Sequence, residues 1–125
     1  MKGKERDLAK SIVWDLSKLY KDIADPNINK DKQKIRTDAK TLEKQYRGKI
    51  KNGKILPSDL AIAIKQYESI LTRLAVYTTF AGLLQAKDTT SDKINHFYQH
   101  SEEFSNEISN LLIFLELEIL EIPEP

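Results

Sequence analysis

The sequence predicts an all-α fold, a bundle of three long antiparallel helices preceded by a short N-terminal helix. Apolar residues recur at helical spacing over most of the 125 residues. Only four Gly and four Pro interrupt them, so the elements between the breaks must be long. A 40% hydrophobic and 31% charged composition is that of a folded domain rather than a disordered chain.

Residues 1–11 read as a frayed or disordered start, and 12–125 as one helical domain. Ile12-Val13-Trp14 is a short apolar run, and Asp15 is placed to cap a short helix over Leu16 to Tyr20. Asp25-Pro26-Asn27 combines a turn with a helix start, because Pro at an early helical position loses no needed N–H. Ile28, Ile35, Ala39, Leu42 and Tyr46 then fall within an arc of about 60°. Lys32, Arg36, Lys40, Lys44 and Arg47 lie mostly opposite, so this helix packs one narrow stripe and is wet elsewhere. Gly48 follows as the residue just past its end.

Lys51 to Lys54 is a loop. Pro57-Ser58-Asp59 opens a second helix to about Lys87, with a stripe of Leu60, Ala63, Ile64, Tyr67, Leu71, Leu74, Ala75, Thr78 and Ala81. Val76, Phe80 and Leu83 lie on its opposite face. Small residues at Ala75, Thr78, Ala81 and Gly82 leave room for another backbone to approach. Asp88 to Asp92 breaks the pattern and recaps it. A third helix follows, with Ile94, Phe97, Tyr98, Phe104, Ile108, Leu112, Leu115 and Ile119 on one stripe. Ile113, Phe114, Leu117 and Leu120 lie off it, and Pro123 and Pro125 stop it. Such helices are on the order of 30 to 45 Å long, and the short loops imply antiparallel neighbours.

Two segments, Val76–Leu84 and Leu111–Leu120, therefore present a second apolar face. They lie at opposite ends of the hairpin and cannot cover each other. Leaving several Leu or Phe side chains in water forfeits about 1.5–3 kcal/mol each. Either the chain associates, as a dimer or with another polypeptide, or it belongs to a longer protein whose remainder covers those faces. Pro123-Glu124-Pro125, directly after the most apolar stretch, favours the longer protein.

The chemistry-bearing residue types form no catalytic pattern. His96 and His100 stand at i, i+4, with Glu103 one turn on, a spacing that can hold zinc. Phe97 occupies the position where a zinc peptidase needs its general-base Glu. Two ordinary surface histidines is the reading that this favours, with a metal-binding bundle as the alternative. Glu102, Glu103, Glu116 and Glu118 read as solvated or interface charges. No Walker, dinucleotide or nucleophile-elbow pattern occurs. The sequence contains no cysteine, which fits a reducing, cytoplasmic setting, and no secretory signal or membrane-length apolar run. Residues 1–54 hold 16 Lys/Arg against 8 Asp/Glu, and 55–125 hold 4 against 11. With no aromatic interleaving in the basic half, that polarity reads as two halves of one molecule lying side by side, with no nucleic-acid or membrane partner.

Several strings in order resemble the N-terminal region of the oligoendopeptidase F family, zinc metallopeptidases related to thimet oligopeptidase. They are Trp14-Asp15-Leu16-Ser17-Lys18-Leu19-Tyr20, Asp25-Pro26, Tyr46-Arg47-Gly48-Lys49, Pro57-Ser58-Asp59-Leu60, Asp88-Thr89-Thr90 and Phe114-Leu115-Glu116-Leu117-Glu118. The likeness spans about Ile12 to Ile122. It departs at Leu56, where a capping Ser usually precedes the Pro. The family's His-Glu-x-x-His and later Glu have no counterpart here, so no catalytic or metal residue carries over, and zinc would belong to the full-length enzyme. The resemblance implies an N-terminal helical domain of a cytoplasmic oligopeptidase, forming part of the wall of a peptide-binding cleft. Its partner would be the catalytic domain, with oligopeptides bound only by the whole protein. A stand-alone helical interaction module or homodimer is the alternative.

Overall fold

A computed structural model describes residues 20–122. Within them the chain forms α1 (Pro26–Tyr46), α2 (Pro57–Lys87) and α3 (Asp92–Leu120), with no strand. The frayed start, the Trp14-led string and, apart from Tyr20, the short first helix fall outside the described residues.

Each helix begins and ends for a local reason. The Asp25 carboxylate accepts from the Asn27 N–H at 2.9 Å, and Pro26 occupies the first turn. These N–H bonds, from Asn27 and then Lys21, hold the Asp25 carboxyl below its usual range. α1 stops where Gly48 adopts φ +82°, a left-handed conformation that costs glycine little. α2 starts at Pro57 with no side-chain cap, because Leu56 has nothing to offer the free N–H groups. Ser91 caps α3 through the Ile94 N–H, after a turn in which Asp88 accepts from both the Thr90 amide and hydroxyl.

Cross-links between helices give their directions. Asp38 on α1 meets Arg73 on α2 at 2.8 Å, and Tyr67 of α2 donates to Glu116 of α3. Arg36 on α1 pairs with Glu107 on α3. The order is up, down, up, so each sequence neighbour is antiparallel and α1 runs parallel to α3. Every helix packs on both others.

The core lies along the triangular axis. Ile35, Ala39 and Leu42 come from α1, Ala63, Ile70, Leu74 and Tyr77 from α2, and Phe104, Ile108, Leu112 and Leu115 from α3. Toward the α2–α3 turn the core becomes aromatic. Tyr20 stacks edge-on against Phe80 at 5.1 Å, and Tyr77 against Phe97 and Phe104 at 5.8 and 5.7 Å. The Lys32 ammonium closes this end, 5.1 Å from the Phe104 ring. The Tyr20 hydroxyl donates to Asp31 at 2.5 Å, and burial followed by that bond raises its pKa.

Three sequence expectations are corrected. On α2, Ile70 and Tyr77 are buried, whereas Leu71 and Ala75, assigned to the stripe, face out. The true stripe is Ala63, Ile70, Leu74, Tyr77 and Ala81, with the 7, 4, 3, 4 spacing of a helix gripped by two neighbours rather than one. Phe80, expected on an uncovered face, is buried because Tyr20 packs on it. Gly82 meets no backbone: its nearest neighbour is the Tyr98 ring, at a distance where a methyl group would fit.

Substitution separates the observed phase from the expected one. Ile70→Ala should cost about 3 kcal/mol and Leu71→Ala under about 1 kcal/mol in urea unfolding. The Arg36 guanidinium holds the Glu107 carboxyl below its usual range, chiefly through their hydrogen bond. Its stabilisation is present at neutral pH and lost as pH falls through that depressed range. Both partners are largely exposed, so Glu107→Gln should lower stability by about 0.5 kcal/mol at pH 7. The difference should vanish when unfolding is measured at a pH acid enough to protonate Glu107 itself.

Candidate docking surface

The last turns of α3 carry apolar side chains on more than one face. Phe114 and Leu115 turn inward, but Ile113, Leu117 and Leu120 remain 50, 52 and 81% exposed. Their spacing of four and three places them in one outward row. Phe114, expected to be uncovered, is buried because the loop after α1 folds over this end of the helix.

One carboxylate holds that loop. Glu118 is 7% exposed. Both its oxygens accept from the Gly48 N–H, at 3.0 and 2.8 Å, and Oε1 also accepts from Ile50 and Lys51 at 3.2 and 3.3 Å. Three backbone amides thus converge on one side chain, an anion-binding concavity filled by the protein's own glutamate. The left-handed Gly48 turns its N–H toward α3, and Ile50 is driven into the core beside it. The expectation that Glu118 is a solvated charge is therefore corrected. From its place on α3 its long side chain reaches under the loop. Its neighbour Glu116, which points to the other side, accepts from the Tyr67 hydroxyl. Burial, then this bond, pushes the Tyr67 phenol up to about 12.

Between α1 and α3 this arrangement leaves a groove of about 330 Å³. One wall is Arg47, Glu43 and Lys51, and the other is Asn110, Ile113 and Leu117. Among the described residues Arg47 pairs with Glu43, at 3.4 Å and at the surface, a contact worth little.

The family-like residues divide between the two ends of the bundle. Tyr20 and Asp88-Thr89-Thr90 build the end where α2 turns into α3. There Thr89 also accepts from the Asn95 side chain at 3.0 Å. Tyr46, Arg47 and Gly48 build the other end, and the structure joins Gly48 to Glu118 across 70 residues of sequence. Trp14, Asp15 and Leu16 lie outside the described residues. His96 and His100 are both exposed, and His100 approaches Glu103 at 3.8 Å. Among the described residues no three His, Cys, Asp or Glu side chains are grouped as metal ligands, and no helix is long and apolar enough to cross a membrane.

Comparison of the chain with protein-family models, with curated proteins and with solved structures finds no match.

The loop latch gives a paired prediction. Glu118→Gln keeps the shape but loses the charge that three amides address, and should cost about 2–4 kcal/mol. A methyl group added at Gly48 meets nothing within 4 Å, so Gly48→Ala should cost only the backbone penalty, about 1–2 kcal/mol. Amide exchange at Ile50 and Lys51 should quicken in both variants while the exchange of the α1–α2 core stays slow.

Proposed function

We propose that this chain is a non-catalytic helical domain that works against another polypeptide surface, as the N-terminal wall of a cytoplasmic zinc oligoendopeptidase. The observation that carries the reading is the outward row of Ile113, Leu117 and Leu120 beside a groove. A lone large apolar side chain on a surface is ordinary, but three in one row on the final turns of a helix mark a place where another surface packs. The ordered strings name that surface as the catalytic part of the enzyme. Two of them, Tyr46-Arg47-Gly48-Lys49 and Phe114 to Glu118, meet in space at the edge of the groove. In this role the bundle shapes access to a cleft and supplies neither the zinc nor its ligands, and oligopeptides are cleaved only by the whole protein.

The decisive experiment reads the coding sequence downstream of Pro125. A His-Glu-x-x-His on a helical pattern, with a later Glu, is expected, and its absence sinks the oligopeptidase reading.

The same apolar row supports a second reading, a stand-alone module that pairs with its own copy. Sedimentation separates the two. A tight, well-defined dimer abolished by Leu117→Ser supports the module. Weak, indefinite association supports the wall domain. Because Leu117 is half in solvent, Leu117→Ser should change thermal stability by under about 1 kcal/mol in either case.

A further inference from the structure

We infer that a pocket between the start of α1 and the first turns of α3 binds a small carboxylic acid with one flat ring, its carboxylate held by the Lys32 ammonium and the Tyr77 hydroxyl. This site lies at the other end of the bundle from the α3 row, and it stands whether or not the chain is a wall domain.

The pocket has a volume of about 220 Å³. A cavity of about 150 Å³ with apolar walls holds a benzene molecule, so this one takes a single ring and a short acidic arm. Its body is apolar, made by Ile23 ahead of α1, Ile28 on α1 and Phe97 on α3. Phe97 belongs to the aromatic cluster yet is only partly buried, which leaves ring surface for a ligand to cover.

Tyr77 reaches the same pocket from α2, across the core. Among the described residues its hydroxyl has no hydrogen-bond partner, and no fully enclosed side-chain oxygen is left without one. The little of Tyr77 that stays accessible, 1% of its surface, therefore includes the hydroxyl, and the pocket is the space it faces. Burial alone raises its pKa, so at neutral pH it keeps its proton and can donate.

Lys32 supplies the charge. Its ammonium lies 5.6 Å from the centre of the Tyr77 ring and 5.1 Å from that of Phe104. Among the described residues it pairs with no carboxylate. The charges that act on it are Arg36 and Glu107, which are bonded to each other. Burial, then Arg36, lowers its pKa, as expected of a partly buried cation without a counter-ion. A ligand carboxylate between the two groups supplies that counter-ion and gives the Tyr77 hydroxyl its acceptor.

The acidic groups nearby are already engaged. Asp25 also lines the pocket, but its two oxygens accept from the Asn27 and Lys21 backbone N–H groups, each at 2.9 Å. Asp31 accepts from the Tyr20 hydroxyl. His100 stands exposed at the rim, where Glu103 approaches it.

The test titrates phenylacetate into the full chain, with its neutral isostere phenylacetamide as the comparison, and follows both by nuclear magnetic resonance. Phenylacetate should saturate one site and bind at least about tenfold more tightly than the amide. Tyr77→Phe keeps the ring and removes the hydroxyl. It should weaken phenylacetate about tenfold without lowering thermal stability, since no protein partner is lost. Lys32→Met keeps the apolar stem and should abolish the preference for the acid over the amide. Should Lys32→Met unfold by circular dichroism, the two probes and Tyr77→Phe still decide the matter. Equal binding of acid and amide, binding unmoved by either substitution, or no saturable binding of phenylacetate overturns the inference. So does a loss of stability in Tyr77→Phe, which would give the hydroxyl to the fold, or tighter binding of phenyl phosphate, which would exchange the carboxylate for another anion.

Discussion

The bond set from Glu118 to the loop amides is the constraint on which the end of the bundle depends. The loop that carries the chain from α1 to α2 leaves α1 at Gly48, and most of its first N–H groups meet no backbone carbonyl. Glu118 satisfies three of them from a position 70 residues on. Burying a carboxylate is costly unless several donors meet it, and burying loop amides is costly unless an acceptor meets them. Each group solves the other's problem. Ile50 is then held in the core and Phe114 is buried, and Lys51 is brought to the edge of the groove.

The opposite end is built by different means. There an aromatic cluster, with Tyr20, Phe80, Phe97, Tyr77 and Phe104 in edge-on contacts, closes the bundle, and the Asp88–Thr90 turn needs only local hydrogen bonds. Tyr20 arrives from ahead of α1 and covers Phe80, while Val76 stays half-buried and Leu83 exposed. The contrast sharpens the functional reading. One end is sealed by the chain's own aromatics, and the other is left with a row of aliphatic side chains facing out. Single exposed apolar side chains such as Ile62, Leu71 and Leu83 also stand along α2, but the row on the last turns of α3 is the one that borders a groove.

The electrostatic layout follows the same division. The excess of Lys and Arg in the first 54 residues is not cancelled inside the molecule, since the described ion pairs between α1 and the later helices are Arg36–Glu107 and Asp38–Arg73. In the second of these the basic residue belongs to the acidic half. The halves lie side by side with most of their charge facing water, and the groove between α1 and α3 is lined by side chains of both signs.

Helix type, helix order, the break at Gly48, the missing cap at Leu56 and the inward stripes of α1 and α3 follow from the sequence alone, because spacing and capping act within a few residues. So does the uncovered row at Ile113, Leu117 and Leu120. The rotational phase of α2 was decided by tertiary structure. A helix touched from two sides can bury either of two overlapping apolar sets, and the neighbours select Ile70 and Tyr77 over Leu71. Glu118 was equally hidden, since nothing in a run of alternating Leu and Glu tells which carboxylate will find three amides waiting. That depends on where a loop far away in sequence folds over the helix, and only the packed molecule brings the two together.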